Sequence, residues 1–379
     1  MTQKKYSPGI LTDVARLLCL ITILLLGACS STPTKKSKSI DYIFFPALPD
    51  APRIQFLTTF SSSKDVLKSN TVFTKFVLGK DKDKDSIFIN KPYGVQMYDG
   101  KIYVVDTRGG GYIVMDLVKQ DFRVIRGQGG GRMSKPINIT IDKDGTKYIT
   151  DTQRMQVLVF DKNEKFIRAL GTNKQFRPAD TAIFGDKLFV ADLRDHEIEV
   201  LNKHSGILLY KIGKAGSKNG ELYHPTNLKI GPDNYLYVSE TTNFRVQKFT
   251  LDGRFVRNYG SIGTGLGKFA RPKGIVLDKQ GRLYVIDAAF ENVQVINPNG
   301  KLLMAFGNPG SQPGNINLPV DIDIDYDNVK LFQRYAHPDF KLEYILLVSS
   351  QFGINKINVY GFGKMKDIEY PEDRNKNRQ

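Results

Sequence analysis

Six times along this chain a proline opens the same phrase. The prolines are Pro92, Pro136, Pro178, Pro225, Pro272 and Pro319, spaced by 44, 42, 47, 47 and 47 residues. Residues 224–259 show the phrase in full, HPTNLKIGPDNYLYVSETTNFRVQKFTLDGRFVRNY. An apolar alternation over Leu228 and Ile230 stops at Gly231-Pro232-Asp233-Asn234 and resumes from Tyr235 to Glu240. A polar loop then leads to Val246, Lys248 and Phe249, and Leu251-Asp252-Gly253 turns the chain into a last run, because Gly tolerates the positive φ of a hairpin turn. Four short antiparallel strands per copy make a small sheet that is apolar on both faces and cannot bury itself alone. A period in the forties built this way predicts a propeller blade, and six copies predict an all-β, six-bladed β-propeller.

The second strand of the phrase reads YVVD (Tyr103 to Asp106), YITD (Tyr148 to Asp151), FVAD (Phe189 to Asp192), YVSE (Tyr237 to Glu240) and YVID (Tyr284 to Asp287); the sixth copy loses it. Pro-x-[Gly/Asn/Asp]-Ile, Tyr-Val-x-Asp, Val-Gln-Val and an Asp-Gly turn together resemble the NHL repeat, with residues 272–300 (PKGIVLDKQGRLYVIDAAFENVQVINPNG) the nearest copy. The resemblance implies a propeller from residue 92 to about 330. It does not choose a function, since scaffolds, binding platforms and enzymes share such frames.

The sixth copy also lacks an outer strand, because after Ile357-Asn358-Val359-Tyr360 the chain passes Gly361 and Gly363 into a charged tail. Arg53 to Phe60 (RIQFLTTF) resembles the outer strands RFVRNY and KFIRAL, so the N-terminal strand is expected to complete the last blade and remove two sheet edges. This divides the chain into a propeller over residues 52–363, with an insertion at 61–90, and a flexible charged tail over 364–379.

Residues 1–28 have the form of an export signal: Lys4, Lys5 and Arg16 precede a ten-residue apolar run from Leu17 to Leu26, too short to span a bilayer. Leu26-Gly27-Ala28-Cys29 resembles the bacterial lipobox, which implies lipidation of Cys29 and a tether over residues 29–51. Cys19 lies in the signal, so no free thiol remains for disulfides, zinc-thiolate sites or a cysteine nucleophile. Ser30 resembles an outer-membrane sorting signal in Gram-negative hosts. The formal charge of +16 falls to +14 without residues 1–28, which favours acidic partners.

Catalytic motifs are scarce. The glycine-rich stretches 127–131 and 263–268 lack the strand–loop–helix setting of a phosphate cradle, and Lys268 is followed by Phe269. His196, His204, His224 and His337 stand at no metal-ligand spacing. An acid ending the second strand in five copies reads as a structural device that accepts hydrogen bonds from a neighbouring loop or pairs with an Arg such as Arg154 or Arg245. Two residues after each proline come Gly94, Asn138, Asp180, Asn227, Gly274 and Asp321. The oxygen donors Asn138, Asp180, Asn227 and Asp321 are placed near the channel mouth, where calcium is the cation they would suit. Propeller lactonases of similar architecture carry a metal-binding carboxylate or amide just before a glycine here, whereas Tyr93 precedes Gly94 and Lys273 precedes Gly274.

The residues before the prolines are Lys91, Lys135, Arg177, His224, Arg271 and Leu318. A residue before proline is held extended, and rotation about the ring would set these side chains around one mouth. The expected function is that of a lipid-anchored envelope binding or scaffold protein, in the outer membrane of a Gram-negative host. Lys91, Lys135, Arg177, His224 and Arg271 would dock an acidic protein or polyanionic glycan; nucleic acid is not expected, and the membrane is met through the lipid alone. No catalytic residue, metal or cofactor is assigned. The alternative is an envelope enzyme, a metal-dependent lactonase or lyase with its site at the channel mouth.

The anchor reading has a direct consequence. Cys29→Ser should leave an uncleaved precursor without lipid, seen by metabolic labelling with a fatty acid; normal maturation and detergent partitioning of this variant would contradict the lipidation of Cys29.

Overall fold

The computed structural model describes Thr2 and residues 41–67, 86–172 and 174–370. Cys29, the signal-like segment, the centre of the insertion and the last nine residues lie outside the described residues. Six antiparallel sheets form the fold, five of four strands and one of five. Blade one takes Pro92–Tyr98, Lys101–Asp106, Gly111–Asp116 and Asp121–Ile125 from axis to periphery, and blades two to five repeat this order beginning at Pro136, Pro178, Pro225 and Pro272. The innermost strands neighbour one another around the axis. Because strand direction alternates, every blade-to-blade loop and every loop from second to third strand lies on one face, here termed the proline face. The hairpins between first and second and between third and fourth strands lie on the other.

Burial explains why the second strand carries apolar side chains on both of its faces. Leu236–Glu240 and Leu283–Asp287 are buried at every position, because one side of the sheet meets the preceding blade and the other side the following one. The hydrophobic core is accordingly split into six clusters, one per interface. Tyr103, Tyr112, Ile149 and Phe160 join blades one and two, for example, and Val246, Phe269, Ile275 and Val285 join blades four and five.

Blade six closes the ring. Ile54–Phe60 pairs antiparallel with Ile357–Met365, through Ile54 opposite Phe362 and Phe60 opposite Ile357, as the missing outer strand predicted. Its side chains feed both neighbouring interfaces: Ile54 packs in the cluster between blades five and six, Leu57 and Phe60 in that between six and one. A fifth strand, Phe44–Phe45, then pairs with Ile54 and Gln55, and Tyr42 packs edge-on against His337. The segment expected to be a tether through residue 51 is therefore docked from Tyr42 onward, since its aromatic side chains find apolar partners. The charged tail is likewise docked at its start, with the strand running to Met365 and Tyr370 buried, its hydroxyl donating to the Pro52 carbonyl at 2.8 Å. The second strand of blade six is present as Phe340–Ser350; residues 326–339, with the short helix Val329–Phe332, separate it from Pro319–Asp325 and hide the motif. All strands of the ring fall within one compact unit, residues 42–379.

Deleting residues 42–61 exposes the edge of blade six and removes apolar contacts from two interfaces. The expected loss is several kcal/mol, against about 1 kcal/mol for an ordinary point change, read as a lower midpoint in denaturant titration. An unchanged midpoint would contradict closure by this strand.

Candidate functional site

An innermost strand has one free edge, so its outward-looking amides need acceptors. The preceding blade supplies them. Asp321 Oδ2 accepts from Val95 N at 3.0 Å, Asp323 Oδ2 from Met97 N at 2.9 Å, Asp180 Oδ2 from Leu228 N at 2.9 Å, and Gln96 Oε1 from Ile141 N at 2.8 Å. Close approach explains the two glycines of this set, since a Cβ on Gly94 would stand 2.1 Å from Asn138 Oδ1 and one on Gly274 2.6 Å from Asp321 Cα. Asn138, Asp180, Asn227 and Asp321 are all buried in the channel wall rather than displayed at its mouth.

Two contacts cross the channel between blades four and six. Asn227 Nδ2 donates to Asp321 Oδ1 at 3.5 Å, and Lys229 Nζ pairs with Asp323 Oδ1 at 3.4 Å. Burial pushes the Asp180 carboxyl up to about 6, and burial followed by the charge of Asp180 holds Asp321 well above the usual carboxylate range. Asp323 is raised by burial; the carboxylates Asp323, Asp321 and Asp180 outweigh burial and raise Lys229. A cavity of about 240 Å³ is lined by Gln96, Asn138, Thr140, Asp180, Lys229 and Asp321 among others.

This donor set does not suit a resident calcium. One oxygen each of Asp321, Asp323 and Asp180 already holds a backbone amide, Asn138 Oδ1 accepts from Ile139 N at 2.9 Å, and the Lys229 ammonium supplies the positive charge. Asn227 Oδ1 alone among these oxygens is buried without a partner. Six or more oxygen ligands, as calcium takes, are not to be had without breaking the bonds between blades. Elsewhere among the described residues Asp192, Asp195 and Glu197 bring oxygens within 4.8 Å of one another, but Asp195 pairs with Arg194 and Glu197 with Lys211.

The acids ending the second strands are clamps. Asp106 accepts from the amides of Asn90 and Lys91, Asp151 from Ser134 and Lys135, Asp287 from Ala270 and Arg271, and Asp192 from Arg177. Each fixes the loop that enters an innermost strand. Glu240 also takes Arg245 Nε at 2.7 Å, while Arg154 bonds to Gln156 and to the Gly130 and Arg132 carbonyls instead.

The clamps decide the backbone before each proline. In blades four and six the clamp does not reach that amide: Glu240 takes Tyr223 N, and Ser350 stands where the acid would be. His224 N donates instead to His196 Nδ1 at 3.3 Å and Leu318 N to Glu291 Oε1 at 2.7 Å, and both residues are left-handed, with φ +48° and +44°. These two thus depart from the extended form expected before proline. His224 is packed against His196 and Tyr223, with ring centroids 4.6 and 4.7 Å apart. Burial, followed by His196, Lys273 and Arg177, depresses its pKa, so it gains charge only in more acid solution than an ordinary histidine.

Lys91, Lys135, Arg177 and Arg271 enter the proline face from four blades, and among the described residues none has a carboxylate partner. Lys91 Nζ lies 5.5 Å from the Phe352 ring centroid. Lys273, which the sequence reading passed over as a cation, stands beside this set with its pKa brought down to about 8 by burial and Arg271. Other cations are paired on both faces, Lys101 with Asp99 and Lys203 with Asp142 in the hairpins of the opposite face, Arg194 with Asp195 and Lys214 with Glu221 on the proline face.

The raised Asp180 gives a signed prediction. Between pH about 4 and 6 the unfolded chain releases this proton before the folded chain does, so stability falls as pH rises through that window, by roughly 2 kcal/mol. Asp180→Asn keeps an oxygen for the Leu228 amide and should flatten the fall in denaturant midpoint between pH 4 and 6; parallel profiles would contradict it.

Solved structures share the architecture. A gluconolactonase from Xanthomonas campestris aligns over 83% of this chain and 99% of its own at 14% identity, TM-score 0.53. A streptogramin B lyase aligns over 72% and 94% at 15% identity, TM-score 0.50, and an auxiliary nutrient binding protein from Bacteroides thetaiotaomicron over 74% and 71% at 14% identity, TM-score 0.53. At these identities the likeness establishes the fold. No curated protein matches the sequence. The family model of the SMP-30/gluconolactonase/LRE-like region matches residues 94–320, more than half of the chain, and the chain belongs to that family.

Proposed function

We propose that this propeller is a binding module of the cell envelope, built on NHL-type repeats, held by lipid on Cys29, and docking polyanionic partners on its proline face. The observation that carries the reading is the set of cations that equivalent loop positions bring to one mouth. Lys91, Lys135, Arg177 and Arg271 have no carboxylate partner among the described residues, and an unmatched set at one mouth sums into a field that steers anions. His224 adds to it only under acid conditions. Lys135→Ala/Arg177→Ala/Arg271→Ala should weaken retention of residues 41–379 on a sulfated-polysaccharide resin by about tenfold and flatten its salt dependence. Equal retention with equal salt sensitivity would overturn the reading.

Family membership favours a second reading, a metal-dependent lactonase or lyase working in the channel. The oxygens engaged between blades and the ammonium of Lys229 argue against it. Metal analysis of protein purified without chelator distinguishes the two: one calcium or zinc per chain, lost in Asn227→Ala/Asp321→Ala, would favour the enzyme.

A further inference from the structure

We infer that the proline face docks directly on an anionic lipid surface, its loop-borne apolar side chains entering the boundary between headgroups and acyl chains while the cations face the headgroups. This rests on the polyanion-binding reading of the same face and names the partner. Large apolar side chains are exposed there on loops of separate blades. Phe352 is 55% and Ile354 67% exposed between the second and third strands of blade six; Phe88 is 58% exposed in the approach to blade one; Ile262 and Leu266 are each 66% exposed between blades four and five. The first three share one region. Ser61 Oγ donates to the Ile354 carbonyl, Ser62 bridges to Phe88, Lys356 Nζ donates to the Asn90 carbonyl at 2.9 Å, and Lys91 lies over Phe352.

Several arguments favour lipid over an acidic protein. The apolar residues stand in two groups, Phe88, Phe352 and Ile354 where blade six meets blade one and Ile262 and Leu266 between blades four and five, with Lys91 and Arg271 close to them in the chain or in space. A folded partner would need a separate pocket for each group, whereas a bilayer boundary receives each independently. Basic residues beside an anionic leaflet contribute about 1 kcal/mol each, and apolar insertion adds to them. Cys29 to Asp41, at about 3.3 Å per residue, reaches at most about 40 Å, so lipid on Cys29 would keep the domain at high effective concentration beside the same surface.

The test uses residues 41–379, the compact unit without the lipidated cysteine, checked for folding by its melting transition. Vesicles of phosphatidylglycerol with phosphatidylethanolamine are compared with phosphatidylcholine alone, and with the sulfated-polysaccharide resin. Sedimentation with anionic vesicles only is expected, part of it surviving about 0.5 M salt because apolar insertion is not screened. Phe88→Ser/Phe352→Ser/Ile354→Ser should weaken vesicle binding at least about tenfold and leave resin retention unchanged, while the cation triple variant loses both. The chain has no tryptophan, so Phe352→Trp supplies a single indole whose emission should shift to the blue on anionic vesicles. Retention on the resin without vesicle binding overturns this inference and leaves the polyanion reading standing. Binding of the unaltered protein to neither vesicles nor resin overturns both. Vesicle binding by the serine variant equal to the unaltered protein, or a dimer that this variant dissolves, also overturns it, the latter by assigning the patch to a second copy.

Discussion

Everything in this molecule depends on the ring being shut. Five blades are made from consecutive chain, but each derives its stability from apolar contact with two neighbours, and that condition is met by all six only when blade six is whole. Ile54–Phe60 makes it whole, through pairing with Ile357–Met365 and through side chains that enter the interfaces on both of its sides. The ladder is continued by Phe44–Phe45, which covers the outer edge that the clasp would otherwise present.

Closure leaves the innermost strands facing a narrow axis, and the axis then has a polar accounting problem of its own. It is solved in pairs of blades: carboxylates and amides on one strand satisfy the amides of the next. Acids in a channel would ordinarily invite a catalytic reading; here Asp321 and Asp323 hold blade one to blade six, and Asp180 holds blade four to blade three. The negative charge of Asp323 is met by Lys229, while burial raises the carboxyls of Asp180 and Asp321. Outside the channel, Lys91, Lys135, Arg177 and Arg271 stand on the proline face without a carboxylate partner among the described residues.

The repeat was legible because each blade must bury the same strand on both faces, so its period survives in the residue types. The clasp was legible for the same reason, as a copy lacking one strand and a strand lacking a copy. The acids ending the second strands could be read as structural because they recur, and a device repeated by rotation is seldom a unique site. The use of Asp180 and Asp321 could not be read, because their partners Leu228 and Val95 are set by adjacency in the ring and not along the chain. Lys229 and Asp323, 94 residues apart, meet because the closed ring sets blades four and six across the channel from each other. His224 and Leu318 departed from the backbone expected before proline since the competing acceptors, His196 and Glu291, sit on the preceding blade.

The clasp also dictates an order of assembly. Ile54–Phe60 leaves the ribosome well before its partner Ile357–Met365. Blades one to five can pair their strands in sequence, each contact local, whereas the pairing that locks them has a separation of about 300 residues and waits for the last blade to be made; contacts of such separation form late and slowly. Until then the chain is an open arc with an unpaired edge at each end. A protein joined in this way keeps its ring open while the blades are being made, and shuts it on a strand made before any of them.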